Sequence, residues 1–279
     1  MSTSIENMQW MDIGETAIRY ELRPGVGEPL VLIHELGGSL NSWDHLLPLL
    51  DSRRPMLRYD ARGFGMSEKL RDVPCIEDLA NDLRHLLDEL GMSGPVAVIS
   101  SAVGCAIAAH FAAHHPQRVS SIVALSPVTE VAVVRRMSLL GIADRMEREG
   151  LRAMVDTALA TSYPPALIND LRVFRQFRAR WMNNDPTSFA LSYRMLADLN
   201  ERHALGMLRC PVLIVAGLQD QLRPPEMSRE VAAQIAGAKL MYLDTGHFMH
   251  VQSPIPVAAA ALSFIDSGGR EPGATVSEQ

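Results

Sequence analysis

Apolar residues fall into two kinds of run that alternate along the chain. Short continuous runs, Pro29-Leu30-Val31-Leu32-Ile33-His34 first and then 55–59, 96–99, 119–125, 212–216 and 239–243, have the length and branched content of strands buried on both faces. Between them, apolar positions recur every three or four residues over 76–90, 103–114, 225–235 and 254–265, the spacing of helices. A hairpin over residues 8–22 precedes them all. Strand and helix in turn predict an α/β fold, a mostly parallel eight-stranded sheet with flanking helices.

One interval breaks the rhythm. Residues 128–208 hold no strand pattern and read as several amphipathic helices, an inserted helical cap after the sixth strand. The predicted organisation is a core from 1–127 and 209–267, the cap, and a small, polar, disordered tail over 268–279.

At 279 residues the chain suits one large domain with an insertion. Twenty-six Lys and Arg against 32 Asp and Glu give a net charge of −6, which argues against nucleic-acid or anionic-membrane partners, since both need a clustered basic field. Cys75, Cys105 and Cys210 are odd in number and scattered, so neither a disulfide framework nor a metal site is indicated. With no basic-then-apolar leader at residues 1–7 and no apolar run of spanning length, a cytoplasmic location is expected.

Chemistry on a parallel sheet gathers at the carboxyl ends of its strands. Four of those ends are unusual: His34-Glu35-Leu36-Gly37-Gly38-Ser39 after the first parallel strand, Tyr59-Asp60-Ala61-Arg62-Gly63-Phe64-Gly65-Met66-Ser67 after the next, then Gly217-Leu218-Gln219-Asp220, and Asp244-Thr245-Gly246-His247 after the last. Over residues 20–266 these motifs, in this order, resemble the α/β-hydrolase fold family, nearest to the branch of 3-oxoadipate enol-lactonases and related esterases and C–C hydrolases.

In that family a strained strand-to-helix turn, Gly-x-Ser-x-Gly, presents the nucleophile. Here the turn reads Ser100-Ser101-Ala102-Val103-Gly104-Cys105. Only Ala102 is flanked by small residues at both critical positions, Ser100 and Gly104; the registers centred on Ser101 or Ser100 put branched Ile99, Val103 or Val98 there. Ala102 therefore holds the nucleophile position without a nucleophile. Either a Ser-to-Ala change has inactivated the enzyme, or the residue is native and the protein binds a ligand without catalysis. The intact remainder of the apparatus favours the first.

The resemblance implies a catalytic set of position 102 (Ser in the active form), Asp220 and His247, in the family's chain order, with an oxyanion hole from the amides of Leu36 and Val103. The end of the sixth strand, Leu125-Ser126-Pro127, offers no competing acid. Glu35 departs from the family's usual Gly; its carboxylate either braces the loop in a salt bridge or reaches substrate. Ser101, beside the nucleophile position, is a weak pocket contact. Asp60 and Arg62 are expected to pair with each other as scaffold, and His250 to be structural.

The cap carries eleven Arg against nine acids, which suggests an anionic substrate. Within its aromatic stripe of Phe174, Phe177 and Trp181, Arg178 is the candidate carboxylate clamp, with Trp181 as a substrate contact; its alternative is to pass the aromatics and pair with a cap acid.

The expected function is hydrolysis of a small, carboxylate-bearing ester, lactone or amide by a Ser-His-Asp mechanism with no metal or organic cofactor. C–C hydrolysis of ring-cleavage products, non-catalytic ligand binding and cofactor-free oxygen chemistry on the His-Asp dyad are the alternatives. Dehalogenase and epoxide-hydrolase chemistry is excluded, since both need Asp at position 102. The expected partner is a small anionic molecule, with a homodimer allowed.

Overall fold

The computed structural model describes residues 8–51 and 53–270; the leader reading at 1–7 and the tail reading beyond 270 fall outside the described residues. Eight strands form one sheet: β1 (Met8–Ile13), β2 (Thr16–Arg23), β3 (Leu30–Ile33), β4 (Met56–Tyr59), β5 (Val96–Ser101), β6 (Val119–Leu125), β7 (Val212–Gly217) and β8 (Lys239–Leu243). Their order is β1-β2-β4-β3-β5-β6-β7-β8. β1 and β2 form the antiparallel hairpin, β2 meets β4 antiparallel, and β3 to β8 run parallel.

The continuous apolar runs follow from burial on both faces. Alternate residues of the inner strands divide between two cores, Val31, Ile33, Val96 and Val98 to one and Leu30, Leu32, Ala97 and Ile99 to the other. The first core is covered by α1 (Ile76–Glu89), α2 (Gly104–His114) and α8 (Pro225–Ala233), the second by Trp43, Leu46 and α10 (Pro254–Asp266). Arg58 is the exception inside a strand. It is fully buried, paired with Glu21 on the neighbouring strand and with Asp44, and it donates to the Leu40 carbonyl at 2.8 Å, so its charge is matched on several sides.

Between β6 and β7 the chain forms α3 (Arg136–Glu149), α4 (Leu151–Ser162), α5 (Leu171–Met182), α6 (Pro186–Ala197) and α7 (Arg202–Met207). Asp170 caps α5 through the Arg172 amide at 2.7 Å, and Asp185 caps α6 through the Ser188 amide at 2.7 Å with Pro186 at the first helical position. The only pairing of strand type in the interval is a single bridge between Glu130 and Asn200 among the described residues.

Register places the site. Ile33 lies opposite Ser100, Ser101 opposite Leu125, Val215 beside Leu125, and Gly217 opposite Leu243. The strands thus end in a row, and the next residues of each, His34, Ala102, Ser126, Leu218 and Asp244, start loops along one edge.

Candidate active site

At the end of β5 the backbone turns sharply through Ala102, which has φ of 48°, a left-handed conformation that costs a non-glycine residue about 1–3 kcal/mol. The surroundings hold it there. The Ala102 amide donates to Leu125 O at 2.9 Å and its carbonyl accepts from Val128 at 3.0 Å and Cys105 at 3.1 Å. Two residues on, a side chain at Gly104 would bring its Cβ to 2.5 Å from the Ile33 carbonyl and 2.6 Å from that of His34, so only glycine lets α2 start this close to β3. This is the steric reason for a small residue there. Ser100 is buried, its hydroxyl directed at Cys105 Sγ and the Val123 carbonyl, whereas the buried Ser101 hydroxyl has no partner among the described residues.

Asp220 and His247 are joined directly: Nδ1 of His247 lies 2.8 Å from Asp220 Oδ2, with both residues buried. The loops that carry them are stitched by backbone bonds from Leu218 to Leu243 O (2.8 Å) and from Gln219 to Thr245 O (2.9 Å). The other oxygen, Oδ1, accepts from the Leu222 amide at 2.9 Å and the Arg223 amide at 2.8 Å. Burial pushes the Asp220 pKa up, but the charge and hydrogen bond of His247, the Arg223 amide and the Ser126 hydroxyl outweigh it, and the carboxyl stays below its ordinary range. An ionised Asp220 fixes the proton on Nδ1 and leaves Nε2 as the basic nitrogen.

The loop after β3 is held from below. His34 accepts from the Ala61 amide at Nε2 (2.9 Å), and its Nδ1 donates to Glu35 O at 2.7 Å, which assigns the tautomer. Among the described residues the Leu36 and Val103 amides donate to no backbone acceptor, in contrast to the amides of Ala102, Cys105 and Ala106 around them. Two N–H groups left without an acceptor are what an oxyanion requires.

The inserted helices reach this edge from α5 and α6. Asn184 donates to the Gly37 carbonyl at 2.8 Å, and Trp181 and Phe189 pack on Gly37. Phe177 packs at a tilt against Phe248 with centroids 4.6 Å apart, and Phe248 meets the His247 ring edge-on at 5.0 Å. Position 102, His247, Trp181 and Phe177 are all buried, so the helices close over the edge.

Other expected residues lie elsewhere or in other roles. Arg178 is not turned toward the site: its Nε and Nη2 both bind Asp156 Oδ1, at 3.1 and 2.9 Å, on the exposed side of α4. Pairing with a cap acid is thus what the structure shows. Glu35 is 2% exposed and binds Ser42 and His250, the bracing arrangement and not a rim position. Asp60 and Arg62 do not pair with each other. Asp60 sits inside the Gly65 turn, bound by Arg19 at 3.1 Å and the amides of Leu40 and Met66 at 2.6 and 2.8 Å, while Arg62 reaches out to Asp82 on α1. Turn geometry brings the Asp60 carboxylate under its own loop, where neighbouring Arg62 does not fold back.

Arg180 was not singled out by the sequence pattern. It is half-buried on α5, its Nη2 is buried without a partner among the described residues, and burial lowers its pKa against the opposing pull of Asp44 and Glu35. Among the described residues no three His, Cys, Asp or Glu side chains are grouped to hold a metal, and no helix is long and apolar enough to cross a membrane.

Comparison with known proteins fits this geometry. The model of the alpha/beta hydrolase fold family matches residues 28–254. The chain is 23% identical over 264 residues to a pyrrolizixenacetamide deacetylase of Xenorhabdus hominickii, covering 92% of this chain and 98% of that protein. It is 22% identical over 227 residues to 3-oxoadipate enol-lactonase 2 of Acinetobacter baylyi, covering 81% and 84%. The crystal structure of the enol-lactonase from Burkholderia xenovorans superposes with a TM-score of 0.85 at 22% identity, covering 92% of this chain and all of that one.

Proposed function

Since the chain belongs to the alpha/beta hydrolase fold family, we propose that its site is built to hydrolyse a small carboxylate-bearing ester, lactone or amide through a Ser-His-Asp mechanism, and that Ala102 makes this chain the form that lacks the nucleophile. The observation that carries the reading is the buried 2.8 Å contact between His247 and Asp220 at the same sheet edge as a left-handed residue 102.

With Ser at 102, Nε2 of His247 takes the hydroxyl proton as the oxygen attacks the substrate carbonyl, and Asp220 stabilises the imidazolium that forms. Electrons displaced onto the carbonyl oxygen meet the Leu36 and Val103 amides. Collapse of that adduct expels the alcohol or amine, which takes the proton from His247 and leaves an acyl-enzyme. Water, deprotonated by the same imidazole, attacks the acyl carbonyl, and collapse of that second adduct breaks the bond to the serine oxygen, which takes the proton back from His247 as the acid leaves. The helices from α3 to α7 act as the cap that excludes bulk water.

An acidic substrate is supported by Arg180. The carboxylates whose charge it feels already have partners, Asp44 in Arg58 and Glu35 in His250, so its buried Nη2 is left without the acceptor that a ligand carboxylate would supply. Arg binds such a carboxylate in a planar fork.

The test compares the chain as it stands with Ala102→Ser, using p-nitrophenyl esters, small lactones and ring-cleavage dienones. Turnover and fluorophosphonate labelling are expected only with Ser, beyond a residual rate of roughly 10³–10⁴ over water from the oxyanion donors alone. An inert, unlabelled Ser form would overturn the hydrolase mechanism in favour of ligand binding or chemistry on the dyad.

A further inference from the structure

A second carboxylate–imidazole pair lies behind the first. Nε2 of His250 is 3.3 Å from Glu35 Oε2, with the two side chains 0% and 2% exposed. Glu35 Oε1 accepts from the Ser42 hydroxyl at 2.9 Å, whereas Glu35 Oε2 and both ring nitrogens of His250 have no hydrogen-bond partner among the described residues, so the 3.3 Å approach is a charge contact and Glu35 is the carboxylate that the ring meets. The carboxylate is tucked against Gly38, where a Cβ would come within 2.6 Å of its Cδ. Trp43 packs on the His250 ring at 4.8 Å.

Position in the chain gives the pair its meaning. Glu35 is the residue before Leu36, whose amide faces the oxyanion in the proposed mechanism. His250 lies on α9 (Met249–Gln252), three residues after His247, and Phe248 between them touches both rings. Beyond Leu36 the loop is tied to the cap by Asn184 on the Gly37 carbonyl. Burial would raise the Glu35 pKa, but the neighbouring His250 ring and the backbone amide of Glu35 outweigh it and take it down to about 2, so the carboxylate is ionised throughout the neutral range. Other charged or titratable groups facing the pair are Arg180 on α5 and His45, with Asp44 beside them.

We propose that Glu35 and His250 are positioning residues whose buried carboxylate–imidazole contact clasps the loop carrying the Leu36 amide to the turn carrying His247. The oxyanion donor and the base are thereby fixed to each other, and not only through the sheet. This rests on the hydrolase reading of the site. A buried pair retained merely for stability would leave that relative placement unaffected.

The two roles separate by experiment. In the chain as it exists, ¹⁵N relaxation is measured for Leu36 and Gly37 in the parent, Glu35→Gln, His250→Gln and the double variant. The expected result is a fall in the Leu36 order parameter from about 0.85 toward about 0.6 in either single variant, with no further fall in the double. In the Ala102→Ser background each single is expected to lose about tenfold or more in kcat with KM held within about threefold, and the double to be no worse than the poorer single. Unchanged Leu36 motion in folded singles, or losses that add, would overturn the clasp. Should Glu35→Gln fail to fold, Glu35→Gly combined with His250→Phe removes both charges without leaving one unpaired, and the same loosening is expected. If Ala102→Ser itself is inert, the hydrolase reading fails, while the relaxation of Leu36 still decides whether the clasp exists.

Discussion

Asp220 holds its charge against burial because donors converge on both of its oxygens, and the consequence can be measured at one residue. Asp220→Asn keeps the shape but offers an amide where His247 needs an acceptor, which favours the wrong tautomer. In the Ala102→Ser background kcat is expected to fall by roughly 10⁴ with the fold intact by circular dichroism; unchanged turnover would move the acid elsewhere. A second comparison separates the two arginines that flank the buried Phe177 and Trp181. Arg180→Met is expected to raise KM for acidic substrates by about tenfold or more and leave neutral analogues unaffected, whereas Arg178→Met, which breaks only the exposed contact with Asp156, should shift neither by more than about twofold. Equal effects on acidic and neutral substrates would end the role of Arg180. The helical period shows that residues 178 and 180 lie on opposite flanks of the stripe. Which flank faces the loop after β3 is decided by how α5 docks, and that information is not local. Glu35 is similar: its departure from glycine is visible in the sequence, but its partner His250 arrives from the far end of the chain.

At the scale of elements, the elbow shows how one backbone contact can govern a site. Gly104→Ala would drive a methyl group into two main-chain carbonyls, of Ile33 at the end of a central strand and of His34 just after it, which cannot swing aside. The expected cost is about 3 kcal/mol or more in urea unfolding, together with loss of fluorophosphonate labelling at position 102 in the Ala102→Ser background. A folded Gly104→Ala variant of parental stability and full labelling would mean that α2 can retreat from β3. Strands β3 to β7 are legible because they are buried on both faces and so are largely apolar; even Arg58 does not obscure β4, since neighbouring residues keep the pattern. Helix ends are less so. The period over 225–235 runs two residues past the end of α8 at Ala233, because Ile235 is buried in the turn that follows. α9 is too short for any period to reveal, yet it carries His250. Asp60 and Arg62, adjacent in a turn, suggest a local pair that the fold replaces with Arg19 and Asp82, one from another strand and one from a helix.

For the molecule as a whole, the buried carboxylates make stability depend on pH, and the sign follows from each shift. Glu35 is taken from an ordinary 4.5 to about 2. A carboxyl whose pKa is lower folded than unfolded binds fewer protons in the native state, so its contribution is complete above the unfolded value and is lost as pH falls toward the folded one. For Glu35 that window runs from about 4.5 down to about 2, and a shift of this size corresponds to about 3 kcal/mol. Asp220, also lowered, adds in the same direction. Asp82 opposes them: burial outweighs Arg62 and raises its pKa, so acid relieves a cost there. Because two buried groups act against one, the melting temperature is expected to fall as pH drops from about 4.5 toward about 2. The Glu35 share is isolated by Glu35→Gln, which cannot ionise: its melting temperature should start lower at neutral pH, since His250 loses its partner, and then decline less over the acid range. A variant curve parallel to the parent's across that acid range would show that Glu35 titrates alike in the folded and unfolded chain and that the acid sensitivity of the fold lies elsewhere.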